Sequence, residues 1–251
     1  MKNQNKTHGK NSRKTTCIIF ASIIACIAHA VILNVEVNEY LFTSLSKLLV
    51  FVLTPIACYY AMGKRPHELL MLIYRKTKPK GISGYSDKQA VHRKAGVKLS
   101  CKLAAAVFAF LAVVFIILRP FLVRDDIVNG LAGNNITGEN FPFVFAYVIL
   151  CNAALEEFFF RGFIFLTLYK LGQKRTAYVY SCLLFAVYHI FIMDSWFHPA
   201  VFALLLVGLA VSGVIFNELA RRTDSIIGSL IVHMSANLAI NLVGVYYLYF
   251  A

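Results

Sequence analysis

The segment LEEFFFRGF, residues 155–163, places two glutamates and an arginine inside a strongly apolar stretch. A charge near the centre of a membrane-spanning helix costs about 2.5–3.5 kcal/mol, so three unpaired charges would cost about 8–10 kcal/mol. Glu157 and Arg161 are four residues apart, share one helix face and can pair. Glu156 is rotated about 100° from its neighbour, so we expect its partner on another helix and its carboxylate to be available for chemistry.

Two histidines and an asparagine in later apolar segments add to these buried polar groups. The sequence FAVYH ends at His189, and HMSAN places His233 and Asn237 four residues apart on one helix face. A carboxylate and an imidazole can activate water for attack on a carbonyl, while a second imidazole and an amide N–H can stabilise the oxyanion. These residue types predict a site for peptide-bond hydrolysis formed by Glu156, His189, His233 and Asn237.

The rise of a helix gives a first test of whether these residues meet. Counting ~1.5 Å per residue through a ~30 Å layer puts Glu156 about 8 Å and His233 about 10 Å from the same membrane surface. His189 comes out about 20 Å from that surface, so its helix must begin deeper or tilt if it is to join them.

The same glutamate and histidines also form an acceptable catalytic zinc set with an open position for water. In that site Glu156, His189 and His233 would all be ligands. No carboxylate nearby would then be free to take the proton of the water, since the second glutamate is expected to pair with the arginine. A metal-free site gives Asn237 a role as a donor beside His233. We therefore favour a site that requires no cofactor, with zinc as the alternative.

The composition indicates a multi-pass membrane protein, because 59% of the 251 residues are hydrophobic and several apolar runs could cross a ~30 Å hydrocarbon layer. Lipid cannot satisfy backbone hydrogen bonds, and the runs lack the short alternation of barrel strands. We predict an all-α polytopic helix bundle of about seven to eight transmembrane helices. The predicted spans are 17–33, 41–62, 101–119, 142–169, 176–193, 199–219 and 226–250.

The net charge of +13 could suggest a nucleic-acid partner, but the basic residues are distributed along the chain as membrane topology predicts. We therefore expect no nucleic-acid partner. If the N-terminus lies in the cytoplasm, 21 of the 25 Lys and Arg residues fall on the cytoplasmic side. The opposite side carries Glu36, Glu39, Asp125, Asp126, Glu139 and Asp194. We predict an integral protein of the lipid bilayer with a cytoplasmic N-terminus, in the cell membrane if the organism is bacterial.

The six cysteines do not form a predicted disulfide or metal framework, because they lie in or beside the predicted spans without C-x-x-C spacing. We expect them to act as small buried hydrophobic residues.

The three polar motifs together resemble a known family. In chain order they read EEFFFR from Glu156, FAVYH ending at His189, and HMSAN from His233. The pattern E-E-x-x-x-R, F-x-x-x-H and H-x-x-x-N is similar to that of the CAAX prenyl protease and bacteriocin-processing (CPBP, or Abi) family of intramembrane proteases. The resemblance covers residues 141–243.

This resemblance implies a bundle of about eight helices with a catalytic cavity open toward the cytosol and the membrane. It implies that Glu156 and His189 activate the water and that His233 and Asn237 form the oxyanion hole, with the Glu157–Arg161 pair orienting the site. The chain then divides into a basic cytoplasmic tail (1–16), N-terminal transmembrane helices with a basic cytoplasmic loop at 63–100 (17–140), and a catalytic helix bundle (141–251).

The expected substrate is a peptide or membrane protein that is hydrophobic, membrane-anchored or prenylated. The alternative is a non-catalytic membrane protein of the same fold, either a bacteriocin self-immunity factor or an ion-path transporter, in which the polar cluster is structural. A transporter would be better supported by paired Gly- or Pro-broken helices in two related halves, which the sequence lacks.

Overall fold

The computed structural model describes residues 2–33, 40–73, 87–193 and 199–251, with the side chains of 2–10, 87–89, 191–193 and 199–201 left out. All regular elements in these ranges are helical, as predicted. They are α1 (Lys2–Leu33), α2 (Tyr40–Ala61), α3 (His67–Ile73), α4 (Asp87–Leu118), α5 (Arg124–Gly133), α6 (Phe141–Lys170), α7 (Lys174–Met193), α8 (Pro199–Thr223) and α9 (Ile227–Tyr249).

Six helices in the described part of the chain are long and apolar enough to cross a membrane. They comprise Asn11–Leu33, Tyr40–Ala61, Ala90–Phe121, Phe141–Lys170, Phe202–Thr223 and Ile227–Tyr249. The remaining predicted span, 176–193, coincides with α7. The polytopic helical bundle is therefore confirmed.

The basic segment 63–100 contains more helix than its prediction as a loop implied. It includes α3, which begins directly after Pro66, and the first turns of α4 from Asp87. From Asp87 to Lys98 these turns contain three Lys, two Ala and one Arg, which favour helix over loop. Residues 74–86 of this segment lie outside the described residues, as do Glu36, Glu39 and Asp194.

Helix α6 forms the centre of the bundle and contacts α1, α2, α3, α7, α8 and α9. Apolar residues lie on every face of this helix, which is typical of a helix surrounded by others. Two stretches of α6 are π-helical, Val148–Asn152 and Glu157–Leu166, and the second contains Glu157 and Arg161. Such i→i+5 turns are rare and frequently occur at functional sites.

Ring contacts and small residues hold the neighbouring helices against this centre. Phe159 of α6 stacks on Phe51 of α2 with ring centroids 4.1 Å apart. A Cβ atom on Gly213 of α8 would lie 3.2 Å from the Cα atom of Cys182 in α7, which is closer than an ordinary contact, so glycine at this position favours the close approach of the two helices. Because lipid is as apolar as these side chains, close packing and hydrogen bonds are the interactions that hold such helices together.

Candidate active site

Glu156 is buried in α6, with 2% of its surface exposed, and its first carboxylate oxygen is fully engaged. The Nζ atom of Lys47 in α2 donates to Glu156 Oε1 at 2.5 Å, and Asn152 Nδ2 donates to the same oxygen at 3.2 Å. Lys47 Nζ also donates to Asn152 Oδ1 at 2.6 Å. The expected partner on another helix is therefore present, and only the second oxygen of Glu156 is left for chemistry.

Sequence reasoning missed Lys47, although a sufficient signal was present. Lys47 lies inside the predicted span 41–62. An ionisable residue within a span costs free energy, so it is expected to pair with another polar group and to have a functional or structural role. Its side chain is buried, and its Nζ atom lies 5.1 Å from the ring centre of Tyr188 and 5.6 Å from that of Phe51. Because Lys47 lies within a span, it is on neither side of the membrane, and the comparison of basic residues on the two sides gave it no role.

The second oxygen of Glu156 faces the two predicted histidines. His233 Nε2 lies 3.6 Å from Glu156 Oε2, and His189 Nε2 lies 3.9 Å from it. Three helices, α6, α7 and α9, thus bring their motif residues to one point. The depth mismatch estimated for His189 from the sequence does not keep its imidazole from this point.

The other ring nitrogens fix the orientation of both imidazoles. His189 Nδ1 lies 2.7 Å from the backbone carbonyl of Phe185, and His233 Nδ1 lies 2.9 Å from Glu157 Oε1. Since a carbonyl or carboxylate oxygen can only accept, each Nδ1 carries the proton. In the neutral rings both Nε2 atoms then present a lone pair toward Glu156 Oε2.

The predicted Glu157–Arg161 pair is present in the interior of the bundle. Arg161 Nη1 lies 3.2 Å from Glu157 Oε1, and both side chains are fully buried. The distance is that of an ion pair, but the guanidinium N–H groups have no well-directed acceptor among the described residues. The guanidinium carbon instead lies 4.0 Å from the ring centre of Phe185 and 4.9 Å from that of Phe216, so aromatic faces complete its surroundings. Glu157 thereby links the arginine to His233.

Asn237 lies one turn beyond His233 on α9, and its described hydrogen bond leads to the backbone of α6. Its Nδ2 atom donates to the carbonyl of Val148 at 3.0 Å, at the start of the first π-helical stretch. One hydrogen of the amide is engaged there, which leaves one for another acceptor. The structure thus brings Glu156, His189 and His233 together directly, while Asn237, one turn further along α9, is bonded to the backbone of α6.

The predicted zinc alternative does not fit this arrangement well. No group of three or more His, Cys, Asp or Glu side chains in the described ranges has the geometry to hold a metal ion. Glu156 already carries a cationic partner, because the Lys47 ammonium is bonded to its Oε1. The preference for a metal-free site stays a prediction.

In a comparison with known proteins, one family model matches the part of the chain that contains these motifs. Residues 138–239 match the model of the Rce1-like family, described as type II CAAX prenyl endopeptidase Rce1-like. Neither a curated protein nor a solved structure matches the chain. The matched region runs from before α6 to beyond Asn237 in α9 and includes all three motifs. This match supports a relationship of residues 138–239 to the CAAX prenyl protease and bacteriocin-processing family, in agreement with the three motifs.

Proposed function

We propose that this protein is an intramembrane endopeptidase that cleaves a hydrophobic, membrane-anchored or prenylated peptide substrate. The observation that carries the proposal is the convergence of one oxygen, Glu156 Oε2, with the Nε2 atoms of His189 and His233 from two other helices. A carboxylate and an imidazole turned toward the same point can position and deprotonate a water molecule. The match of residues 138–239 to the Rce1-like endopeptidase family model supports the same reaction class.

The proposed reaction begins with water held between Glu156 Oε2 and His189 Nε2. Glu156 takes one proton as the water oxygen bonds to the carbonyl carbon of the scissile peptide, and the carbonyl oxygen becomes an oxyanion. When the tetrahedral intermediate collapses, the C–N bond breaks and the proton on Glu156 passes to the leaving nitrogen. The second proton of the water passes from the new carboxyl group to the amine, so the products are a carboxylate and an ammonium group, and the site returns to its starting protonation state.

His233 stabilises the oxyanion in this scheme, which defines its protonation state. A neutral His233 with its proton on Nδ1 offers only a lone pair at Nε2 and cannot donate there. The oxyanion step therefore uses the doubly protonated ring, whose positive charge is stabilised by Glu157 at 2.9 Å. The second amide hydrogen of Asn237 supplies a further donor. We propose that no metal cofactor is needed.

We further propose that the N-terminus is cytoplasmic, as the distribution of basic residues favours. The catalytic centre would then be reached from the cytosol and the bilayer, where a prenylated or otherwise anchored peptide would be available.

The decisive experiment compares membrane and secreted peptides from cells that make wild-type protein, Glu156→Ala or Glu218→Ala at matched abundance. Glu218 is a control because it lies at the end of α8 and pairs with Arg221 and Arg222, outside the candidate site. We expect a cleavage product with wild-type protein and Glu218→Ala that is absent with Glu156→Ala.

A prenylated reporter peptide and its unprenylated counterpart, offered to the purified protein, then test the substrate class. Identical peptide profiles for all three proteins, with no cleavage of either reporter, would refute the proposal and favour the immunity or ion-path alternative.

A further inference from the structure

We infer that Lys47 of α2 is a positioning residue for the catalytic carboxylate, so that a helix outside the matched region 138–239 completes the active site. This inference rests on the proposed function, because it assigns Lys47 a role toward Glu156 as the base. Its basis is a closed set of three hydrogen bonds among Lys47, Glu156 and Asn152.

The three bonds hold one carboxylate oxygen and leave the other open. Lys47 Nζ and Asn152 Nδ2 both donate to Glu156 Oε1, and Lys47 Nζ also donates to Asn152 Oδ1. Rotation of the carboxylate would break bonds to both partners, so Oε2 stays turned toward the two histidines. A base held in one orientation near its substrate needs no reorganisation when the reaction occurs.

The ammonium group also balances the negative charge that passes from Glu156 to the oxyanion during hydrolysis. Before reaction, the charges of Glu156 and Lys47 cancel, as do those of Glu157 and Arg161. After Glu156 has taken the proton of the water, the negative charge resides on the oxyanion, and Lys47 still balances it. Without Lys47, the buried Glu156 carboxylate would lose the cation bonded to it, and a buried carboxylate without such a partner tends to become protonated.

The surroundings of Lys47 distinguish it from a cation that merely joins two helices. Its Nζ atom lies over the rings of Tyr188 and Phe51, at 5.1 and 5.6 Å from their centres, and these rings shield the pair from solvent. Tyr188 directly precedes His189 on α7. The cation therefore contacts the base on one side and the helix turn that carries the second water-activating residue on the other.

The test uses purified full-length protein as Lys47→Met, Lys47→Arg and the control Lys64→Met, which makes the same substitution beyond the end of α2. General-base catalysis contributes about 10²–10⁴-fold, so we expect Lys47→Met to lower kcat by about 100-fold or more with KM changed little. Lys47→Arg retains the charge and should recover part of kcat. Lys64→Met should turn over like the wild type.

Infrared spectroscopy provides a readout that does not depend on activity. We expect a carboxylic-acid C=O band in Lys47→Met that is absent from wild type, from Lys47→Arg and from the double variant Lys47→Met/Glu156→Gln. If Lys47→Met does not accumulate, the Lys47→Arg variant decides alone. An ionised Glu156 together with a measurable kcat in that variant supports the inference, and loss of either one contradicts it.

Wild-type kcat in Lys47→Met, or an ionised Glu156 in that variant, would overturn the inference while leaving the protease proposal intact. If the wild type itself cleaves nothing, the protease proposal fails, and the infrared comparison alone decides whether Lys47 keeps Glu156 ionised.

Discussion

Lys47 and Glu156 form an ion pair between α2 and α6, and a double-mutant cycle on the two measures how far the bundle depends on it. Their side chains are 7% and 3% exposed, so the energetics of buried pairs apply and those of surface pairs do not. Removing one member of a buried pair costs about 3–5 kcal/mol, because the other charge is left without its partner. Lys47→Met and Glu156→Gln should each lower the free energy of unfolding by about 3 kcal/mol or more.

The double variant removes both charges and should be more stable than either single variant. It loses the hydrogen bonds of Lys47 to Glu156 and Asn152, each worth about 1 kcal/mol, but leaves no unpaired charge. We therefore expect a loss of about 1–2 kcal/mol, against the 6–10 kcal/mol that two independent single effects would sum to.

Reversible unfolding of the purified proteins in mixed micelles, at one protein concentration and one lipid-to-detergent ratio, gives the four free energies of the cycle. Lys64→Met again serves as the control for a lysine-to-methionine change and should stay near the wild-type value. Additive effects of the two substitutions within about 0.5 kcal/mol would mean that the two groups do not interact, and the pairing argument would be refuted.

Four further predictions concern other parts of the molecule. Glu157→Gln should lower both the abundance of folded protein and kcat, because the Glu157 carboxylate contacts Arg161 and His233. A thermal melt, and kinetics at matched amounts of folded protein, would show this, and a normal kcat would contradict it. Active protein should contain substoichiometric zinc and survive dialysis against a strong chelator, whereas activity restored specifically by zinc would exclude the metal-free site. A reporter fused at Lys88 should face the cytoplasm and one near Asp125 the outside; an external reading at Lys88 would reverse the proposed orientation. Mild oxidation should join α1 to α2 through Cys17 and Cys58, whose sulfur atoms lie 3.2 Å apart, and Cys17→Ser should abolish this cross-link; its absence in the wild type would argue against the pairing of these helices.

The elements and the candidate motif residues could be predicted from the sequence because both depend on local signals. Long apolar runs can only be helices in a bilayer, and four-residue spacing places Glu157 beside Arg161 in any helical register. The expense of buried charge also required a partner for Glu156 on another helix. These arguments need no knowledge of how the helices are arranged.

The remaining features depend on that arrangement. Lys47 stands 109 residues before Glu156, and no local periodicity connects them. The π-helical turns of α6 arise where neighbouring helices pack around it, and the sequence alone does not specify their position. The same holds for Asn237, whose amide bonds to the carbonyl of Val148 through a contact between α9 and α6.

The two π-helical stretches of α6 have a consequence for how this helix tolerates changes in length. A turn with i→i+5 hydrogen bonds accommodates one residue more than an α-helical turn, so a one-residue deletion within Val148–Asn152 can be absorbed by a return to α-helical geometry. Glu156 and the residues after it would then keep their positions, as would the segment that precedes the π-helical turn. Related chains can therefore differ in length on that side of the site while their motif glutamates stay aligned in space.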